Sequence, residues 1–350
     1  MRGLKYIMAL GLPVLAYISF TATGWFTFLP LIQVFLLIPL LEVFMKPNSG
    51  NHQEAEEAKL KNSIWYDLWV YLAVAVQLYL VGLFLYVMHQ DTLTILETVG
   101  RISAMGLLCG VYGINVAHEL GHRVKPYERM MAKVLLLTSL YMHFIIEHNR
   151  GHHKYVSTPD DPATSRKGEW LYVFWFRSVV GSYLSAWKIQ QQMLDSSKRP
   201  FLSLKNEMLL FHVIQLLALI AIFNFSGPEA MVYFVLAAVI GILLLETVNY
   251  IEHYGLLRKM NSSGNYERVL PQHSWNSDHI LGRLMLFELS RHSDHHYQAS
   301  RKYQILRSMK DSPQMPTGYP GMILLALVPP LWFIVMHKRM KNELVRSMVL

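Results

Sequence analysis

Histidines at metal-ligand spacing are the residues of this sequence best suited to chemistry. The chain has sixteen histidines. Eight of them form three short clusters, and a ninth stands alone directly after a glutamate. Imidazole nitrogens bind borderline transition metals such as iron and zinc. The chain has a single cysteine, Cys109, so CxxC sites and four-thiolate clusters are excluded and any metal must be held by His, Asp or Glu. The nine histidines are His118, His122, His148, His152, His153, His253, His292, His295 and His296.

The spacing within these clusters predicts which histidines share a helical face. The first cluster has an i, i+4 pair, the second adds a neighbour at i+5, and the third has i, i+3 and i+4. Residues three or four apart project from the same side of an α-helix. His253 stands where the last predicted span ends. We therefore expect all nine histidines at helix ends, converging on one site.

The number of imidazoles bears on which metal is bound. Nine exceed what one ion accepts and suit two, and iron is favoured because it would keep an open position for dioxygen beside an apolar substrate. Taken alone, His118-Glu119-Leu120-Gly121-His122 matches the HExxH motif of zinc metalloproteases. That site needs only one or two further ligands and leaves the other clusters unexplained. A zinc protease and a metal-binding membrane protein without enzymatic activity remain the alternatives.

The elements that must position these histidines are membrane helices. Of the 350 residues, 53% are hydrophobic and 16% charged, against about 25% charged in soluble domains. The 36 residues from Tyr6 to Leu41 contain no Asp, Glu, Lys, Arg or His. A net charge of +8 here serves topology and anionic headgroups, so nucleic acid is not an expected partner. The sequence predicts an all-α integral membrane protein in the lipid bilayer.

Six transmembrane helices are predicted, and their short connections lack lysine and arginine. A signal peptide is the alternative for the first half of the opening apolar run, but a second apolar segment follows at once and favours a hairpin. The positive-inside rule places both termini and the segments 46–67, 118–207 and 252–350 in the cytoplasm. Val134–Ile146 and Gly321–Met336 are predicted as interfacial or re-entrant helices. The spans cover about 6–20, 25–45, 68–88, 93–117, 208–225 and 230–251, with turns at Thr21–Gly24, His89–Thr92 and Ser226–Glu229.

The histidine boxes carry a resemblance to a known family. Their spacing resembles the membrane-bound desaturase and hydroxylase superfamily, whose pattern is HxxxH, HxxHH and HxxHH; the second box here is one residue longer. More closely, the chain resembles the bacterial membrane alkane 1-monooxygenases. The matching segments are HELGHR at 118–123, EHNRGHH at 147–153, TPDDPATSRKGE at 158–169, NYIEHYGL at 249–256, HSWNSDH at 273–279, RHSDHH at 291–296 and PTGYPG at 316–321.

The resemblance implies a non-haem di-iron enzyme, one hydroxylase domain over residues 1–350, in the bacterial inner membrane. It implies that two iron ions held by the nine histidines on the cytoplasmic side insert one oxygen atom of O₂ into the terminal C–H bond of an n-alkane. Electrons would come through rubredoxin reductase and rubredoxin, a separate protein because this chain has one cysteine. A basic cytoplasmic surface suits an acidic donor, although topology explains the same charges. A methylarene or fatty acyl substrate is the alternative.

Carboxylates near the boxes are expected to support the metal ligands. Neutral imidazoles do not cancel the charge of two ions, so we predict that nearby carboxylates accept hydrogen bonds from ligand N–H groups. Aromatic and aliphatic residues of the spans are expected to line a substrate cavity that opens to the bilayer. The carboxylate candidates are Glu119, Glu147, Glu252, Asp294 and Asp161, and the cavity candidates are Val34, Phe35 and Leu244.

Overall fold

The fold is helical throughout the part of the chain that the structure describes. The structure, a computed structural model, describes residues 2–90 and 92–349. Within these ranges no β-strand forms, and the only β-type pairings are two isolated bridges, Met260 with Tyr266 and Asn276 with Gln314. The predicted all-α fold class is confirmed.

Five helical segments are long and apolar enough to cross a membrane, which supports a multi-pass membrane protein. The fifth has 47 residues, about 70 Å at 1.5 Å per residue, against a hydrocarbon core of about 30 Å. Its backbone leaves helical geometry at Gly227, with φ of 83°, just before Pro228. This break falls inside the predicted turn, and the count of six spans stays a prediction. The segments are Gly3–Thr21, Gly24–Phe44, Ile64–Gln90, Ile95–Gly121 and Glu207–His253.

The first turn between spans lies where the sequence predicts it. The first span ends at Thr21, and the next begins at Gly24, whose φ of 61° lies in the left-handed region that glycine adopts readily. The predicted turn His89–Thr92 includes Asp91, which lies outside the described residues.

A capping box explains the acidic residue at the start of the fourth span. The Glu97 amide donates to Thr94 Oγ1 at 3.3 Å, and the Thr94 amide donates to Glu97 Oε2 at 3.0 Å. Each side chain therefore satisfies a backbone N–H group that the helix start would otherwise leave unpaired.

Outside the candidate spans, two predicted helix bounds are wrong. Val134–Ile146 is not one helix, because the backbone turns after Leu137 and Leu140 has a φ of 51°. Gly321–Met336 is divided, since one helix ends at Ala326 and the next begins at Pro329, where proline suits the first turn. The α-helices outside the candidate spans are Glu54–Lys61, Pro126–Leu137, Phe144–Glu147, His153–Tyr155, Leu171–Ser196, Ile280–Met285, His292–Tyr297, Tyr319–Ala326 and Pro329–Val349.

Three stretches adopt the wide turn of a π-helix, namely Gln33–Leu37, Cys109–Asn115 and His148–His152. Such segments are rare and frequently occur at functional sites. The second stretch directly precedes the first histidine box, and the third contains most of the second box. The backbone is therefore irregular within the second box and shortly before the first.

The chain forms two compact units, each assembled from separate stretches of sequence. The first unit comprises Met1–Val34, Ile64–Gly151 and Ser182–Leu245. The second comprises Phe35–Ser63, His152–Gly181 and Glu246–Leu350. A single hydroxylase domain over the whole chain stays a prediction.

Glycines in the first unit let the fourth and fifth spans approach closely. A Cβ on Gly110 would lie 2.7 Å from Leu244 Cδ2, and one on Gly241 would lie 2.5 Å from Cys109 Cβ. Contacts below 3.0 Å leave no room for a side chain at either glycine. Leu244, predicted to line a substrate cavity, therefore packs against the π-helical stretch that precedes the first box.

Candidate metal centre

Three histidines of the first unit form one cluster. His118 lies on the helix that ends at Gly121, His122 follows as its C-cap, and His148 comes from the second box. Their ring centroids are 5.0 Å apart for His118 and His122, 4.5 Å for His118 and His148, and 5.2 Å for His122 and His148. One ring nitrogen of each lies within 4.8 Å of the others. The predicted i, i+4 proximity of the first box is confirmed.

This three-histidine cluster borders a pocket of about 340 Å³. Phe144 stacks on the ring of His148 at 4.7 Å between centroids, while His122 forms part of the pocket lining. The lining is basic, although Lys133 is paired with Glu207. The cluster therefore has access to an open cavity. The other charged residues of the lining are Arg123, Arg129 and Arg150.

Glu119 of the first box is held in a buried ion-pair network. Arg123 donates to Glu119 Oε1 from Nε at 2.9 Å and from Nη2 at 2.6 Å. The same guanidinium donates from Nη1 to Asp67 Oδ1 at 2.9 Å. In an HExxH protease this glutamate activates water. Here Arg123, just after the end of that helix, binds the glutamate, which does not suit that role.

Four histidines of the second unit form a second, fully buried cluster: His152, His253, His292 and His296. The Nε2 atoms of His152 and His296 are 3.2 Å apart, and those of His253 and His292 are 3.3 Å apart. One ring nitrogen from each histidine lies within 4.8 Å of the other three. Buried imidazole nitrogens that face one another in this way fit the donor set of a transition-metal ion.

Asp161 orients one ring of the four-histidine cluster. His152 Nδ1 lies 2.9 Å from Asp161 Oδ2, and an ionised carboxylate can only accept, so Nδ1 carries the proton. The Nε2 lone pair of His152 therefore points toward His296. Burial opposes ionisation of Asp161, but His152 and the Thr164 hydroxyl, at 2.6 Å, hold its pKa below the usual range. The predicted contact between this carboxylate and a histidine N–H group is present.

Glu252 lies on the inner side of the cluster, which differs from the prediction. Its Oε2 is 3.1 Å from His292 Nε2, the same nitrogen that faces His253. The carboxylate therefore stands beside the metal-facing atoms and does not support a ring from behind. Glu252 Oε1 accepts a 2.7 Å hydrogen bond from Tyr319. Tyr319 was not among the predicted site residues, although it belongs to the quoted PTGYPG segment.

The second and third boxes are divided between clusters. His148 belongs to the three-histidine cluster, whereas His152 belongs to the four-histidine cluster. The backbone over these residues is π-helical. In the third box, His295 lies beside His153 of the second box, with 3.1 Å between their Nε2 atoms.

The other predicted carboxylates contact groups outside the histidine rings. Ser185 donates to Glu147 Oε1 at 3.3 Å. Asp294 Oδ2 accepts from the Arg307 backbone amide at 2.8 Å and lies 3.2 Å from an Arg301 nitrogen. Asp294 thus ties the third box to the loop that follows it.

The three residues predicted to line a substrate cavity lie in different environments. Val34 is buried at 3% exposure, Phe35 is partly exposed, and Leu244 packs against Gly110. Their role as cavity residues stays a prediction.

Helices long and apolar enough to span a membrane, together with histidine clusters that could hold metal ions, define the class of protein, and comparison with known proteins identifies its family. Residues 97–326 match the fatty acid desaturase family. The chain is 36% identical to alkane 1-monooxygenase 1 of Alcanivorax borkumensis over 323 residues, 92% of this chain and 80% of the relative. It is 38% identical to an alkane 1-monooxygenase of Pseudomonas putida, with 91% and 80% covered. The chain belongs to the alkane 1-monooxygenases within the fatty acid desaturase family.

A relative with a different substrate in its name is also similar. The hydroxylase component of a xylene/toluene monooxygenase from Pseudomonas putida is 31% identical over 276 residues, 78% of this chain and 73% of that protein. The family resemblance inferred from the boxes is confirmed, and a zinc protease has no support among these relatives.

Proposed function

We propose that this protein hydroxylates the terminal carbon of n-alkanes to primary alcohols, using O₂ and two iron ions. Its similarity over about nine-tenths of its length to proteins named alkane 1-monooxygenase carries the proposal. The separation of the histidines into two clusters supports two metal ions in place of the single zinc of a protease. Imidazole donors of this kind are compatible with iron.

Each of the two units contributes one histidine cluster to metal binding. The four-histidine cluster would hold one ion, and the three-histidine cluster would supply ligands to the other. His153 and His295 remain predicted ligands, which completes the set of nine. When bound, the iron ions supply the activation of O₂ and the oxidation of the C–H bond.

Protein groups around the four-histidine cluster orient ligands and hold protons. Asp161 keeps the Nδ1 proton of His152 and so directs the Nε2 lone pair inward. Burial and the Glu252 carboxylate raise the pKa of Tyr319, so its hydroxyl stays protonated. This hydroxyl donates a hydrogen bond to Glu252 Oε1. Hydroxylation with O₂ consumes protons as well as electrons. The Glu252–Tyr319 pair can hold one of these protons beside the ligand atoms.

The electron donor is proposed to be rubredoxin, reduced by rubredoxin reductase. One cysteine cannot form the four-thiolate site of such a donor, so a separate protein must deliver the electrons. The distribution of lysine and arginine supports insertion in the bacterial inner membrane with the histidine clusters toward the cytoplasm. A donor in the cytoplasm would then approach the basic side of the protein.

Methylarene hydroxylation is the second candidate, since one relative is part of a xylene/toluene monooxygenase. Both substrates offer a methyl group at the end of an apolar molecule. The two candidates differ in the shape of the cavity that would receive this group, so a direct comparison of substrates separates them.

The test is an assay of the purified, iron-loaded protein in detergent with reduced rubredoxin, O₂ and either octane or xylene. We expect about two irons per chain and formation of 1-octanol. His292→Ala should abolish product, whereas His52→Ala, a partly exposed histidine paired with Glu56, should retain it. Oxidation of xylene but not octane would favour the second candidate. One zinc per chain, or two irons without attack on either substrate, would overturn the proposal.

A further inference from the structure

A continuous series of aromatic rings leads away from His148 within the first unit. Phe144 stacks on His148 at 4.7 Å between centroids, and Tyr141 stacks on Phe144 at 6.1 Å. His143 lies 4.4 Å from Tyr141 and 5.3 Å from Tyr183. Each step is short enough for rings to be in contact or nearly so. The series therefore connects a proposed metal ligand with Tyr183 on another helix.

The hydrogen bonds of Tyr183 give its phenol a defined proton acceptor. The hydroxyl lies 2.9 Å from His212 Nε2. His212 Nδ1 lies 2.6 Å from the Met208 carbonyl oxygen, which can only accept. Nδ1 therefore carries the proton, and Nε2 accepts from Tyr183. A tyrosine bonded to an imidazole lone pair can lose an electron and its proton together, without forming a charged phenol.

The same series reaches the surface. Trp187 stacks on His212 at 5.5 Å with an interplanar angle of 25°, and Phe201 stacks on Trp187 at 5.9 Å with 18°. Phe201 is 48% exposed. The rings thus extend from a proposed ligand of the metal centre to solvent.

The redox chemistry of these side chains decides whether the ring series carries electrons from a mild donor or oxidising equivalents from the metal centre. Tyrosine and tryptophan lose an electron only to strong oxidants, and an electron from a mild donor cannot reside on either ring. An enzyme that oxidises an unactivated C–H bond generates such an oxidant. If no substrate is present, this oxidant attacks the protein that surrounds it.

We propose that Tyr183, His212 and Trp187 form a relay that removes oxidising equivalents from the metal centre when no alkane is bound. The inference rests on the proposed oxygenase function. Tyr183 gives one electron to the oxidised centre through the ring series, and its phenolic proton moves to His212 Nε2. The products are a neutral tyrosyl radical, an imidazolium and a centre reduced by one electron. A soluble thiol then gives one electron at Trp187, becoming a thiyl radical as its own proton passes to water, and the proton on His212 returns to Tyr183.

The environment of His143 suits a position within the series. Burial, with a smaller contribution from His212, lowers its pKa to about 4. The ring is therefore neutral at physiological pH and places no positive charge in the path of an oxidising equivalent.

The first experiment uses the metal-free full-length protein, so that it does not depend on oxygenase activity. A ruthenium complex excited by a laser flash and quenched to its oxidised form serves as the oxidant, and tyrosyl radical is followed by absorbance and electron paramagnetic resonance. Tyr183→Phe should at least halve the fast radical yield. His212→Asn should do the same, because an amide accepts the hydrogen bond but cannot take the proton.

Tyr172→Phe is the matched control for this experiment. Tyr172 lies on the same helix as Tyr183, Leu171–Ser196, and its hydroxyl donates to the Leu327 carbonyl oxygen at 2.7 Å, which is not a base. This variant should keep the wild-type yield. An unchanged yield in Tyr183→Phe, or an equal loss in Tyr172→Phe, would overturn the relay.

The second experiment follows damage in the iron-loaded protein given reductant and O₂ without alkane. Peptides containing residues 144–153 are analysed by mass spectrometry for added oxygen. Tyr183→Phe and Trp187→Phe should accumulate this oxidation several-fold faster than the wild type, with unchanged initial turnover when octane is present. Equal damage in all three proteins would contradict the proposal. If the loaded protein attacks no alkane, the proposed function fails, while the metal-free result still decides whether the Tyr183–His212 pair is redox-active.

Discussion

The two histidine clusters use the same ligand chemistry in different surroundings. The four-histidine cluster is fully buried, and two carboxylates, Asp161 and Glu252, contact its ring nitrogens directly. The three-histidine cluster borders an open pocket through His122, and its nearby Glu119 is bound by Arg123. In the first arrangement carboxyl oxygens lie against the ligand rings, whereas in the second an arginine binds the nearby carboxylate.

The difference predicts unequal metal binding. Carboxylates hydrogen-bonded to ligating histidines increase their basicity and fix their orientation. The ion in the second unit should therefore be held tightly and exchange slowly. Water can reach the cluster of the first unit through the pocket, so its ion should exchange more readily. Variants in each cluster test this contrast.

Removal of a buried ligand should have the largest effect. In His253→Ala, the four-histidine cluster loses a ligand where burial leaves no solvent to replace it, so about one iron per chain should be lost even with excess iron. In His122→Ala, water from the pocket can occupy the vacant position, and excess iron should restore much of the content. Metal analysis at rising iron concentrations measures both. Identical recovery in the two variants would remove the contrast.

Loss of the arginine in the first unit should reduce stability strongly. Arg123→Gln leaves the buried carboxylates of Glu119 and Asp67 without their cation, which typically costs about 3–5 kcal/mol. Equilibrium unfolding in mixed micelles measures the change in free energy. Arg129→Gln, on the exposed wall of the same pocket, is the control and should change it by less than about 0.5 kcal/mol. A small effect in Arg123→Gln would show that the network is not structural.

A change to the partner of His152 should weaken metal binding by an intermediate amount. Asp161→Asn replaces an ionised acceptor with an amide, and loss of such a partner lowers metal affinity about 10–100-fold. Chelator competition should show this loss for one ion only. The neighbouring exposed residue offers a control, since Asp160→Asn should bind both ions normally. Equal weakening of both ions would contradict the separation of the clusters.

Acid should have the smallest effect, through a partly exposed ion pair in the second unit. The hydrogen bond from Arg307 holds the pKa of Glu57 below its usual range, although some burial opposes this. Because the pKa of Glu57 is lower in the folded protein, the ion pair with Arg307 stabilises the fold above the ordinary glutamate pKa. This stabilisation is lost as the pH falls through the pKa of the folded state. We expect less than about 1 kcal/mol, as for other surface pairs. Thermal unfolding of metal-free protein should show this loss in wild type and not in Glu57→Gln.

Apolar run length and histidine spacing were sufficient to predict the class of fold and the proximity of His118 and His122. Long apolar runs predicted the membrane segments, because no soluble arrangement buries so many uncharged residues. The i, i+4 spacing of His118 and His122 predicted their proximity, since the backbone between them is regular. The contact of Asp161 with a histidine N–H group was also anticipated.

What could not be predicted depends on irregular backbone and long-range contacts. His148 and His152 belong to different clusters, and residue spacing does not reveal this division. Glu252 lies at the end of a helix, as the sequence predicts. Its carboxyl group, however, accepts a hydrogen bond from Tyr319, a residue 67 positions further along the chain. Local patterns carry no information about such a partner.

The wide turn at Cys109–Asn115 equals one residue inserted into an α-helix. Deletion of any one residue there would restore a regular helix and turn its remaining part, Val116–Gly121, by about 100° about the axis relative to Ile95–Leu108. His118 and His122 would then point away from His148, even with every ligand still present in the sequence. The length of this stretch is therefore under a constraint as strict as the identity of the histidines themselves.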